Sequence, residues 1–154
     1  MKSKNLELTE KFLILIKIDT ENLYQRIKER EKVYMEYFSA KRDRDIFKEV
    51  FFSRYKTTSM SDLATLPIEI IELSNDFYTK VDELYWYLMH TEDMPNAIED
   101  EVIRQTNNIR KKLYNLNLYI SAELSGESVI EENISDNFTE EENQFSELDS
   151  ESQS

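Results

Sequence analysis

The stretch Ile98–Ile120, IEDEVIRQTNNIRKKLYNLNLYI, decides the fold, because it contains the most regular hydrophobic pattern in the chain. Apolar or small residues recur at steps of four or three positions, which places them on one face of a helix as a heptad-like seam. The members of this seam are Ile98, Val102, Thr106, Ile109, Leu113, Leu116 and Ile120. Gly126 follows at a position where a helix favours a left-handed terminating residue. We therefore predict a long helix that buries this seam and ends near Gly126.

Another helix is predicted immediately before this segment, from Pro67 to about His90. Proline suits the first turn of a helix, where its missing N–H has no partner in any case. The residues expected to point inward are Ile70, Phe77, Val81, Leu84 and Leu88. Thr91–Pro95 is predicted to be a turn, since a proline disfavours helical backbone at the residue before it. Two long helices joined by a short turn favour an antiparallel pair.

The N-terminal part of the chain predicts a further long helix, from about Glu10 to about Arg42. Its stripe consists of Ile16, Thr20, Leu23, Ile27, Arg30, Tyr34 and Tyr37. Residues Lys11–Ile18 are apolar on every side, so that periodicity alone allows either a buried helix turn or a short strand. If this stretch is a strand, Asp19 is placed to cap a helix that starts later.

A shorter helix is predicted over Asp43–Tyr55, followed by a loop over Lys56–Asp62. The apolar side of this helix would contain Ile46, Phe47, Val50, Phe51 and Tyr55. With 1 glycine and 2 prolines in 154 residues, long stretches are free to be helical and tight glycine hairpins are missing. We therefore predict an all-α fold for residues 1–124, either an antiparallel helical bundle or paired helical hairpins, with about four helices.

Charge divides the chain into two parts. Of the 32 acidic residues, 11 lie from Glu123 onward, where there is no base, which leaves 21 acids against all 19 bases before that point. Residues 125–154 are predicted to be a disordered acidic tail, because they contain too little apolar surface to offset the entropy of ordering. Ile134, Phe138, Phe145 and Leu148 lie among the acids, a pattern typical of a segment that folds on a partner. The expected target of this tail is a basic surface of another protein.

Two serines of the tail are candidate phosphorylation sites. Ser128 and Ser146 each precede an acidic residue by three positions, which is the pattern that acidophilic kinases use. Phosphorylation there would add further negative charge to the tail.

The composition argues against most enzyme chemistry. The chain has no cysteine and 1 histidine, so thiol catalysis, zinc–thiolate sites and histidine-rich metal sites are not available. A single glycine cannot build a phosphate-binding loop. We interpret His90 as an exposed residue at a helix end, and the many carboxylates as solvated helix surface. We therefore predict a non-enzyme without cofactor or metal.

Membranes and nucleic acids are also disfavoured as partners. No run approaches the roughly 20 apolar residues of a membrane span, and no secretory signal is recognisable, so we expect an intracellular protein of the cytoplasm or nucleus. Lys41–Arg44 begins the most basic segment, in which Phe47, Phe51 and Phe52 alternate with bases. We interpret these aromatics as core residues, since the net charge of −13 opposes direct nucleic-acid binding.

The candidate partner interface consists of Tyr85, Trp86 and Tyr87, together with Tyr34 and Tyr37. Successive helical positions are about 100° apart, so at least one of the three consecutive aromatics must face away from the core seam. Exposed tryptophan and tyrosine dominate contact energies at interfaces.

These patterns favour a non-catalytic protein–protein interaction protein, namely a helical subunit, adaptor or assembly factor of a larger complex, and leave homo- or hetero-oligomers open. The alternative is an acidic nucleic-acid mimic that inhibits or regulates a nucleic-acid-binding protein. A third possibility is a chaperone of a secreted or assembling protein.

Overall fold

The structure is a computed structural model that describes residues 4–31, 33 and 44–126. Within these residues the chain is all α, with no β-strand, which confirms the predicted fold class. The α-helices are α1 (Lys4–Glu29), α2 (Ile46–Val50), α3 (Met60–Leu63), α4 (Ile68–His90) and α5 (Pro95–Ser125), and a 3₁₀ helix covers Arg54–Thr57. None of these helices has the length and apolarity that crossing a membrane would require.

Helices α4 and α5 form an antiparallel pair joined by a four-residue turn. The turn begins where predicted, because Thr91 leaves helical geometry while its N–H still donates to the Tyr87 carbonyl at 2.8 Å. Met94 is extended, as expected before Pro95, which opens α5. All seven residues of the α5 seam and all five predicted inward residues of α4 are buried, so both stripe predictions are confirmed.

Helix α5 also packs against α1, and the two helices run antiparallel. Asn117 of α5 donates to Glu21 of α1 at 3.4 Å, while Glu123, further along α5, shares a cleft with Glu10 near the start of α1. Helix α1 begins at Lys4, earlier than the predicted Glu10, and Lys11–Ile18 is helical, which decides against the strand. Its inward residues are Leu13, Ile16, Thr20, Leu23 and Ile27.

The helix predicted over Asp43–Tyr55 is wrong in its length. Helix α2 ends at Val50, and Ser53 is extended. The helix ends early because of a tertiary contact. The Arg26 side chain of α1 donates to the carbonyl oxygens of both Val50 and Phe52 and holds the backbone there in a non-helical path. The predicted loop Lys56–Asp62 is also only partly correct, since it includes the end of the 3₁₀ helix and the start of α3.

Candidate interaction surface

Trp86 is the member of the aromatic triplet that faces outward. Its side chain is 64% exposed and stacks on His90, with ring centroids 4.7 Å apart. Tyr85 is half-buried and packs against Phe51 at a centroid distance of 5.4 Å. His90 is exposed at the end of α4, with Nδ1 2.9 Å from the Trp86 carbonyl oxygen, as the sequence interpretation expects. The triplet therefore exposes one aromatic ring, that of Trp86, which stacks on His90.

Tyr87 is tied to the turn that follows α4. Its hydroxyl donates to the Asp93 carboxylate at 2.9 Å, and partial burial raises the pKa of this phenol above its ordinary value. The pair links α4 to the turn, so Tyr87 contributes to the local structure as well as to the surface.

The other predicted site residues lie outside the described part of the chain. These are the interface candidates Tyr34 and Tyr37, the tail residues Ile134, Phe138, Phe145 and Leu148, and the serines Ser128 and Ser146.

A second exposed apolar surface lies on the side of α1 that faces away from the core. Besides its buried stripe, this helix has a second, exposed stripe of residues at steps of four and three. We call it the α1 stripe. The α1 stripe consists of Lys4, Leu8, Lys11, Leu15, Ile18 and Asn22, all of them exposed. Leu15 is 56% exposed, and the nearby ring of Phe52 is 58% exposed. Apolar side chains grouped in this way are typical of a contact site rather than of ordinary surface.

A groove of about 550 Å³ lies between the α1 stripe and the segment that follows α2; we call it the α1 groove. Its apolar wall includes Phe12, Leu15, Ile18 and Phe52, and its polar lining includes Asp19, Arg26 and Arg54. Mostly apolar walls with a few placed polar groups are the usual composition of a binding cleft.

Asp19 is the polar centre of the α1 groove. Its carboxylate accepts hydrogen bonds from the Ser53 hydroxyl at 2.8 Å, the Arg54 backbone N–H at 3.1 Å and the Tyr78 hydroxyl at 2.6 Å. These three bonds join α1 to α4 and to the segment after α2. Asp19 lies inside a continuous helix and makes tertiary contacts, so the alternative in which it caps a later helix is excluded together with the strand.

Tyr78 is held in its neutral form at the base of the groove. Burial raises the pKa of its hydroxyl far above the ordinary value of 10.0, and the hydrogen bond to Asp19 raises it further. The Tyr55 ring stacks on the Tyr78 ring at 3.9 Å and an angle of 10°. A neutral phenol bonded to a carboxylate with three donors is suited to fixing the groove wall.

Sequence reasoning missed the α1 groove for identifiable reasons. The signal was present in Lys11–Ile18, because a helix that is apolar on every side must have a second apolar face beyond the one in the core. The contribution of Phe52 could not be found in this way, since it depends on the helix ending at Val50.

The basic segment around Arg44 contributes to the fold. Arg44 donates to the carbonyls of Leu88 and Thr91, at 3.3 and 2.5 Å, and so satisfies the C-terminal end of α4. Phe47 and Phe51 are buried in the core, as interpreted from the sequence, whereas Phe52 is 58% exposed, so the interpretation as a core residue is wrong for Phe52. In the part of the chain that the structure describes, no group of three or more potential ligands is arranged to hold a metal ion.

Comparison of the chain with protein-family models, with curated proteins and with solved structures finds no match. The candidate site is therefore defined by its geometry alone.

Proposed function

We propose that the protein binds another protein through the α1 groove and acts as a non-catalytic subunit, adaptor or assembly factor of a larger complex. The observation that carries the proposal is the apolar surface formed by Leu15, Ile18 and Phe52 in the groove, together with Leu8 on the same stripe, each about half exposed. Covering such side chains contributes on the order of 1 kcal/mol each, because each still has about half of its apolar surface to remove from water.

The expected partner element is an amphipathic helix. The exposed residues of the α1 stripe repeat at heptad-like steps, and a second helix packs against such a seam by placing side chains between them. Trp86 adds a second contact point on α4. The acidic residues 127–154 would meet a basic surface of the same partner, in the cytoplasm or nucleus, with a salt-dependent contribution.

The test compares two substitutions in the full chain. Leu15→Glu places a charge in the groove, whereas Ile103→Glu changes an apolar residue of similar exposure on α5, outside the groove lining. Wild-type protein and the Ile103→Glu variant should recover the same partner from native lysate in comparable molar amount, and Leu15→Glu should lose it. Circular dichroism should be the same for all three proteins. Equal recovery with Leu15→Glu would refute the groove as the binding site.

The nucleic-acid mimic and the chaperone are separate proposals, which depend on a different part of the chain. Both would act mainly through the acidic residues 127–154, so Leu15→Glu should leave them intact. Deleting residues 127–154 should abolish inhibition by a mimic, while a partner bound in the α1 groove should still co-purify.

A further inference from the structure

We infer that, in the free protein, the α1 groove is occupied by the chain's own C-terminal segment, residues 127–154. This contact is a property of the isolated chain. Its consequence, that a partner must displace the segment before it can bind, rests on the proposed function. Three observations favour this occupant, namely its charge, its apolar spacing and its point of departure from the bundle.

The charges of the groove and of the segment are complementary. Lys4 and Lys11 lie on the α1 stripe, and Arg54 lines the groove. Among the described residues no ion pair joins Lys11 or Arg54 to an acid. The carboxylate that does line the groove, Asp19, already accepts three hydrogen bonds. Residues 127–154 contain ten acids and no base, so the segment can supply the missing partners.

The apolar residues of the segment also match the groove. Ile130, Ile134 and Phe138 recur at steps of four, which places them on one face of a helix. Such a helix would present an apolar edge to Leu8, Leu15 and Phe52, with Glu131 on one side of that edge and Asn137 on the other. An acidic helix with one apolar edge thus fits the α1 stripe in both hydrophobicity and charge.

The segment starts close enough to reach the groove. Glu123 in the last turns of α5 shares a cleft with Leu6 and Glu10 of α1. A few residues after Gly126, at about 3.3 Å each, are enough to pass around α1. A helix from Ile130 to Phe138 is about 12 Å long, similar to the distance along α1 from Leu8 to Ile18. Because the connection is short, the effective concentration of the segment is on the order of millimolar.

A second copy of the chain is the less favoured occupant. Two copies would bring the same lysine-bearing α1 stripes together, whereas the C-terminal segment brings acids only. The order of contacts in the cis arrangement also follows from the chain direction. Ile130 should lie nearest Leu8, and Phe138 nearest Phe52.

The test uses the full chain with a spin label at Ser135→Cys, the sole cysteine in that variant because the natural sequence has none. In NMR spectra the label should reduce the methyl signals of Leu8, Leu15 and Ile18 at least twofold. The exposed Ile103 on α5 serves as the internal control and should be unaffected. Raising the salt from about 0.05 to about 0.5 M should weaken the effect, since exposed charges are then screened.

Two further samples decide between the possible occupants. Adding Ile134→Ser and Phe138→Ser to the labelled chain should restore the signals of the α1 stripe. Mixing labelled chain with unlabelled, isotope-enriched chain should give no broadening. Unperturbed α1 signals in the labelled chain, or signals that stay broadened in the serine variant, would overturn the inference. Broadening on mixing would identify a second copy as the occupant and would also overturn it.

The result is independent of the partner experiment. If the spin label leaves the α1 signals unperturbed and Leu15→Glu loses the partner, the contact between the C-terminal segment and the groove is refuted and the proposed function stands. Broadened α1 signals together with equal partner recovery by Leu15→Glu would refute the groove as the partner site and keep the cis contact.

Discussion

The α4–α5 pair and helix α1 use apolar residues differently. In α5 one apolar stripe is present, and all seven of its members are buried against the neighbouring helices. In α1 a buried stripe from Leu13 to Ile27 is accompanied by an exposed one that includes Leu8, Leu15 and Ile18. The fold needs only the first stripe of α1. The exposed stripe of α1 is therefore apolar surface beyond what the core requires, and the proposed recognition rests on it.

The largest expected effect on stability is the difference between removing an aromatic ring from the core and removing one from the α1 groove. Phe77 is fully buried on α4, while Phe52 is 58% exposed. Phe77→Ala should lower the free energy of unfolding by about 3–5 kcal/mol, since it leaves a cavity in the core. Phe52→Ala should lower it by less than about 1 kcal/mol. Urea unfolding of both variants measures the difference, and similar losses would contradict the distinction between the two regions.

The next effect concerns the hydrogen bonds that fix the groove wall. Asp19→Asn removes the charge and turns an amide group toward the donors of Ser53, Arg54 and Tyr78. We expect a loss of about 2–3 kcal/mol in the free energy of unfolding. Asp76→Asn, at an exposed position of α4, is the matched control and should change it by less than about 0.5 kcal/mol.

A double-mutant cycle sharpens this prediction. Tyr78→Phe alone removes one donor to Asp19. Because the two side chains are in direct contact, their combined loss should differ from the sum of the single losses by about 0.5–3 kcal/mol. Additive losses would show that the Asp19–Tyr78 bond does not couple α1 to α4.

The smallest effect on stability concerns the Tyr78 hydroxyl and appears only at alkaline pH. Burial, and then the hydrogen bond to Asp19, raise the pKa of Tyr78 in the folded protein far above 10.0. The stability contributed by the neutral phenol is fully present below pH 10 and is lost as the pH rises, because the unfolded chain releases this proton first. The loss should be about 1.4 kcal/mol per pH unit above pH 10. Urea unfolding from pH 9 upward should therefore show a shallower decline for Tyr78→Phe than for the wild type, and parallel declines would contradict the assignment.

Features that depend on residues close in sequence could be predicted, whereas features that depend on distant contacts could not. The seam from Ile98 to Ile120 is correct at every position because neighbours along one helix determine it. The end of the helix after Asp43 is wrong because it depends on Arg26, which binds carbonyls more than 20 residues further along the chain. Asp19 was likewise interpreted without Tyr78, its partner on another helix. Local periodicity therefore predicts the helices, while the α1 groove arises from contacts that are distant in sequence.

Gly126 has a consequence for where helix α5 ends. Its φ is 76°, a left-handed conformation that glycine adopts without strain, and no atom lies within 4 Å of where a Cβ would be. An alanine would meet no clash with the described residues there, but it would carry the strain of the left-handed backbone. An alanine there would favour right-handed helical backbone, and so would act against the end of α5 at this position. One glycine thus sets the C-terminal end of the longest described helix.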